Sequence, residues 1–251
     1  ILGLSPLGLL TLAACGGGST STPGSSTTAV TGKVENGPLQ GAWAFLDYHI
    51  GNTGAGDGVY DAATEMRVLT GGTDATLGAG SYELSATKTG YTLVATTTAE
   101  TMDTTTGAAY GAGVTLKAPE GATMVTPNTT LVESIIAADK ALGSASTGLT
   151  IEAAAASVAK ALGFEGVNLM AFSAYADQTG FTEAQKETAL QVQLSNNKIM
   201  TVVNSFAAAA EGSGMSEGAA FDLAIGSLVS VVETKVASGA ALSFTDDLDE
   251  I

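Results

Sequence analysis

Hydrophobic positions along the chain change period once, near residue 125. Between about Ala29 and Val125 lie the short runs AVTGKV, GAWAFLDY, MRVLT, SYELSAT, YTLVATT and GVTLKA, separated by glycine-rich turns. They are rich in the residue types that suit a pleated, half-buried surface. In GAWAFLDY and SYELSAT, large residues alternate with small or polar ones, the period-two pattern of a strand with one buried face. Their number and spacing predict a small antiparallel β-sandwich.

From Thr126 onward, apolar residues recur every three or four positions. Thr126 followed by Pro127 marks a helix start with proline at the first helical position, and Thr130 to Glu133 offers a competing capping box one turn later. Leu131, Ile135, Ala138 and Leu142 then share a face, and Gly143 ends the helix. Thr150 caps a second helix with the stripe Ile151, Ala155, Val158 and Leu162, stopped by Gly163. Thr182 and Gln185 stand in capping-box spacing at the head of a third, which carries Ile199, Val203 and Phe206 to about Ala210. A fourth follows Ser216 and presents Phe221, Ile225, Leu228, Val232 and Val236. Short connections between amphipathic helices predict a bundle, and the alanine-rich AAAAS and FAAAA imply close helix approach. The predicted class is therefore α+β: an antiparallel β-sandwich over 29–125, then a helical bundle of about four helices over 126–240. Residues 241–251 read as an acidic tail or the start of a further segment.

Composition narrows the function. The chain has 251 residues, 45 % of them hydrophobic, enough for a packed core. Acidic residues number 25 against 9 basic, and the net charge of −16 repels phosphates, which sets nucleic-acid binding aside. Such anionic surfaces also collect divalent cations. A single cysteine, Cys15, allows no intrachain disulfide. The chain opens without Met inside an apolar run and ends on SFTDDLDEI, so it reads as a fragment truncated at both ends.

Ile1 to Ala14 (ILGLSPLGLLTLAA) has the length of a signal-peptide apolar region and is too short to span a bilayer. Cys15 and the tract GGGSTSTPGSSTT follow at once, a composition suited to a flexible tether. Leu12, Ala13, Ala14 and Cys15 resemble the lipobox of bacterial lipoproteins. The resemblance implies that residues 1–14 are a signal peptide, that Cys15 carries diacylglycerol, and that 15–28 link the anchor to the folded part. It also implies an exported protein held to a membrane by lipid, and Gly16 in place of Asp favours the outer membrane or cell surface.

The segment FLDYHIGNTGAGDGVYDAATE, residues 45–65, gathers Asp47, Asn52, Asp57, Asp61 and Glu65 in a glycine-rich loop, the oxygen-donor chemistry that Ca²⁺ takes. With Gly58 as the central glycine of an EF-hand loop, Asp57 and Asp61 fall on ligand positions. Thr53 and Ala55 occupy the first two, however, and Glu65 lies one residue too far, so the EF-hand pattern is not met. The same residues also suit a plain acidic turn. FLD, GDGVYDAATE and the flanks VTGKVENGPLQGAWAFLD and TDATLGAGSYELSAT resemble prealbumin-like and SdrD B-type β-sandwich modules of surface proteins, over roughly residues 29–97. HIGNTGA departs from that pattern as an insertion. APEGATMVTPNTTLVESII resembles a junction of large exported bacterial proteins where a β-module passes into an Ala-rich helical region, with Asn128 where that element carries Leu. No enzymatic activity attaches to these resemblances.

Catalytic readings find little. His49 is the only histidine, Cys15 is assigned to lipid, and no GxSxG, HExxH, P-loop or dinucleotide motif is present. Glu133, Glu152, Glu187 and Glu233 read as solvated helix-face residues. Trp43 reads as a core side chain rather than, with Tyr48, a sugar platform. The sequence thus predicts a non-enzymatic, surface-exposed structural or adhesive lipoprotein with a protein or glycan partner, whose 45–65 loop is either Ca²⁺-stabilised or a plain acidic turn. The alternative is capture of a small molecule or carbohydrate at the junction of sandwich and bundle.

Overall fold

Strands form where β-branched and aromatic residues cluster and stop at the glycine-rich turns. A computed structural model describes residues 27–49, 56–71 and 78–244. In chain order the strands are β1 (Thr28–Val34), β2 (Leu39–Gln40), β3 (Trp43–Tyr48), β4 (Arg67–Leu69), β5 (Ser81–Ala86), β6 (Tyr91–Thr96), β7 (Met102–Asp103), β8 (Ala108–Ala109), β9 (Thr115–Pro119) and β10 (Met124–Val125). The anticipated runs appear as β1, β3, β4, β5, β6 and β9. The remaining strands are two residues long, too short to leave a periodicity in the sequence.

One sheet has the order β4-β3-β6-β9 and is antiparallel throughout. A second has the order β10-β1-β5, in which β10 runs parallel to β1, and a small third sheet has the order β2-β7-β8. The inner faces meet in the core: Ala44, Leu46 and Tyr48 of β3, Leu93 and Ala95 of β6, and Leu116 and Ala118 of β9 share one buried cluster with Val34, Tyr82 and Leu84. β3 departs from the expected single buried face, since Ala44 through Tyr48 are all buried. Its outer face is covered because Phe45 meets the edge of the Tyr60 ring at 5.7 Å and Asp47 lies under Gly58.

Strand gives way to helix within two residues. β10 ends at Val125, Thr126 caps, and α1 (Pro127–Ala141) begins. Thr126 forms the capping box with Thr129, accepting from its backbone N–H at 3.1 Å while the Thr129 hydroxyl accepts from the Thr126 N–H at 2.8 Å. Two hydroxyls fasten α1 to the sheet: Thr130 Oγ1 accepts from Lys117 N–H at 2.9 Å, and Thr129 Oγ1 donates to the Lys117 carbonyl at 3.0 Å. α2 (Ile151–Ala161) is capped by Thr150, and α3 (Glu183–Gly212) by a Thr182–Gln185 box. α4 (Glu217–Ser238) ends on Gly239 in the left-handed region. α1 packs on β9 and against the other three helices, and its Leu131, Val132, Ile135 and Ile136 belong to the same buried cluster as the sheets.

Residues 163–181 join α2 to α3 without a helix or strand, yet Leu169, Met170 and Ala174 are buried. The Met170 carbonyl accepts from the N–H groups of Thr123 and Met124. Glu35, after β1, is 1 % exposed and accepts from Ser173 Oγ at 2.7 Å. A buried carboxylate fed by donors from a distant segment orders a stretch that has no periodicity of its own.

Candidate functional site

The acid-rich loop grows directly out of β3 and returns to it. Asp47 is 3 % exposed, and its Oδ2 accepts from Gly58 N–H at 2.6 Å. Gly58 has φ 79°, and any Cβ on Gly56 would collide with the Asp47 carboxylate, so glycine is required at both positions. Glu65 bridges back: Oε1 accepts from Tyr48 N–H at 3.1 Å and Oε2 from Asp61 N–H at 2.9 Å. Asp57 accepts from Val59 N–H at 2.8 Å, and Asp61 from Ala63 N–H at 2.9 Å and Thr64 Oγ1 at 3.0 Å. These are the bonds by which Asp residues shape turns. Asn52 and Cys15 lie outside the described residues. Among the described residues, no group of three or more His, Cys, Asp or Glu side chains is placed to hold a metal ion.

Asp47 carries a strained charge balance. Burial pushes its carboxyl up to about 6, against the pull of the Gly58 bond, and the nearby charges of Glu65 and Asp57 push in the same direction as burial. Directly opposite in register stands Thr92 of β6. Its hydroxyl donates to Glu133 Oε1 at 2.8 Å and lies 3.0 Å from His49 Nε2. With the Thr92 proton given to Glu133, the His49 imidazole carries its own proton on Nε2 and donates to Thr92.

Glu133 is therefore not on a solvated face; it is 3 % exposed and ties α1 to β6. Burial raises its carboxyl, opposed by the Thr92 bond and by Lys140 and Lys117, while Asp47 adds to the rise. Burial lowers the His49 imidazole, and Lys140 lowers it further. Glu152, Glu187 and Glu233 are exposed. A cue to Glu133 existed in the sequence: Thr129, Thr130, Ile136 and Ala137, its neighbours one turn away, are all uncharged. Glu35 left no such cue.

The aromatic residues do not form a two-ring platform. Trp43 and Tyr48 sit at odd and even positions of β3 and so point to opposite faces. Tyr48 is buried, packs edge-on to Tyr91 at 6.0 Å, and accepts from Thr87 N–H at 3.0 Å. Trp43 is half-buried, and the Arg67 guanidinium lies 4.2 Å from its ring centroid and 4.5 Å from that of Tyr60.

A groove of about 670 Å³ opens where sheet and helices meet, between Glu120 and Gly121 of the β9–β10 turn, Ile151 and Ala155 of α2, and Val167 and Met170 of the following connection. No helix among the described residues is long and apolar enough to cross a membrane. Comparison with known protein families, curated proteins and solved structures finds no match to this chain.

Proposed function

We propose that this chain is an exported, lipid-anchored structural or adhesive module without enzymatic activity of its own. The observation that carries the reading is the single buried cluster running from Val34 and Leu93 of the sheets to Leu131, Val158, Ile199 and Leu228 of the helices. A core continuous across both parts resists shearing of one against the other, as a tethered spacer requires. The Leu12-Ala13-Ala14-Cys15 tetrad and the Gly/Ser/Thr tract after it supply the anchor and the tether in this reading. Metabolic labelling with a radioactive fatty acid tests it. Label is expected on the wild-type protein in the membrane fraction and absent from Cys15→Ser, which turns soluble; an unlabelled, soluble wild type would sink the proposal.

Ca²⁺ stiffening of the 45–65 loop belongs to the same reading. Its support is the crowding of like charge at buried Asp47, which a divalent cation relieves. Millimolar Ca²⁺ is expected to raise the melting temperature, and the rise is expected to vanish when Asp57 and Asp61 are both replaced by Ala. An unchanged melting temperature leaves the loop a hydrogen-bonded turn.

The second reading is capture of a small molecule or carbohydrate, and the junction groove favours it. Its volume lies in the usual range for small-ligand sites, about 300–1,000 Å³, and its lining combines apolar Ile151, Val167 and Met170 with Glu120, Glu152 and Lys160. Replacing Ala155 by Trp is expected to abolish ligand-induced thermal shifts from any compound that binds there; shifts that survive place the ligand elsewhere.

A further inference from the structure

Residues directly opposed in an antiparallel ladder point to the same face, so the outer face of the four-stranded sheet is crossed by rows of side chains. One row is Asp47, Thr92 and Pro119, the next is Arg67, Phe45, Val94 and Lys117, and the last is Leu69, Trp43, Thr96 and Thr115. The first is covered: Asp47 lies under Gly58, and Thr92 is bonded to Glu133 of α1. The second is covered at its centre, where the Tyr60 ring meets Phe45 and Val94 is fully buried. The last row lies open: Leu69 is 53 % exposed, and Trp43, Thr96 and Thr115 are half-buried.

The open row has its own chemistry. Of the threonines around it, Thr92, Thr97, Thr98 and Thr130 bond their hydroxyls within the protein. The hydroxyls of Thr96 and Thr115 have no partner among the described residues. Beside them stands the Trp43 ring, held by the Arg67 guanidinium at 4.2 Å from its centroid. From Trp43 to Thr115 the row runs about 10 Å, two strand spacings. Thr115 then borders a cleft of about 210 Å³ shared with Lys117 and Asp222, which pair at 3.9 Å. An aromatic ring followed in line by hydroxyls and an ion pair suits a linear sugar chain, which offers apolar C–H faces and hydroxyl edges. A protein partner needs about 800 Å² on each side, more than one row of four side chains presents. The net charge of −16 disfavours an acidic sugar.

We propose that the row from Leu69 to Thr115 binds a neutral, linear glycan. One pyranose ring lies against Trp43 and Leu69, the next exchanges hydrogen bonds with the hydroxyls of Thr96 and Thr115, and the Lys117–Asp222 pair meets the end of the chain. The inference names the partner class of the adhesive reading and rests on it for its biological meaning. Binding is read in solution, so its failure leaves the Cys15 anchor standing, and loss of the anchor leaves the row intact.

The probes are maltotetraose, cellotetraose and N-acetylchitotetraose, each added to the whole chain. Trp43, the only tryptophan, reports through its fluorescence. A saturable emission shift that salt does not weaken is expected with at least one of the three, and none with the acidic tetragalacturonate. Replacing Thr96→Val and Thr115→Val together keeps the β-branched shape and the reporter while removing both hydroxyls, and is expected to weaken binding about tenfold. Should that double variant fail to fold, Thr115→Val alone is expected to weaken it about threefold. No shift with any of the three sugars at millimolar concentration overturns the proposal. So does equal binding of tetragalacturonate, undiminished binding to the valine variants, or binding seen by calorimetry while Trp43 emission stays constant, which would place the sugar elsewhere on the molecule.

Discussion

At the scale of single residues, the buried polar side chains matter most. Asn128 is 1 % exposed at the start of α1; its N–H donates to Asn196 Oδ1 at 3.2 Å and its Oδ1 accepts from Ser195 Oγ at 3.1 Å. Its Nδ2 has no partner. An unmet buried donor costs about 1–3 kcal/mol, so Asn128→Leu is expected to stabilise the fold by about 1 kcal/mol, read from the urea midpoint. Ser195 would then donate to a carbonyl of its own helix, as Ser205 donates to Thr201 and Ser227 to Leu223. A lower midpoint would mean that the bond from Ser195 outweighs the orphaned amide. Asn128 stands out in the sequence as a departure from Leu, but its burial between α1 and α3 is set by residues some seventy positions away.

Among the elements, helix ends are governed by local chemistry and helix faces are not. The caps at Thr126, Thr150 and Thr182 stand where the sequence places them, because each bond spans three residues. Environment sets what each cap is worth. Thr126 is buried, and water cannot replace its bond to the Thr129 N–H; Thr182 is exposed. Thr126→Ala is therefore expected to cost about 2 kcal/mol and Thr182→Ala about 0.5 kcal/mol, the two ends of the usual range for caps. Equal losses in chemical denaturation would contradict this account. The faces moved: Leu142 is 57 % exposed whereas Val132 and Ile136 are buried, because α1 is wedged between β9 and three helices and buries a wider arc than a single stripe. In α2, likewise, Ala154 and Ala161 are buried while Ile151 and Leu162 are half-buried.

For the whole molecule, the ionisable groups set the pH at which the fold is most stable. Burial raises Glu35, Asp47 and Glu133 in the folded state. A carboxyl whose folded pKa is raised gives stability that is fully present below its unfolded value, about 4, and is lost as pH rises through the folded value, about 6 for Asp47. His49 is lowered and acts oppositely: its contribution is lost as pH falls below about 6.5. Three groups oppose one, and the self-repulsion of −16 charges also eases in acid. The melting temperature in calorimetry is therefore expected to be several degrees higher at pH 5 than at pH 8, with the gap narrowed in Glu133→Gln, which cannot ionise. A melting temperature that is flat or higher at pH 8 would refute the assignment.

The sequence by itself determined what depends on neighbours a few residues apart. The change from strand to helix near 125, the main strands, the capped helix starts and the acid-rich loop after β3 all rest on turn formers, caps and side-chain period. Only the tertiary structure decided which faces were buried, that β10 lies parallel to β1, that β5 comes to lie against β4, and that Glu133 and Glu35 sit inside. The reason is separation along the chain. Thr92 and Glu133 are 41 residues apart and Glu35 and Ser173 are 138 apart, so burial of those carboxylates is settled by segments that no local pattern relates.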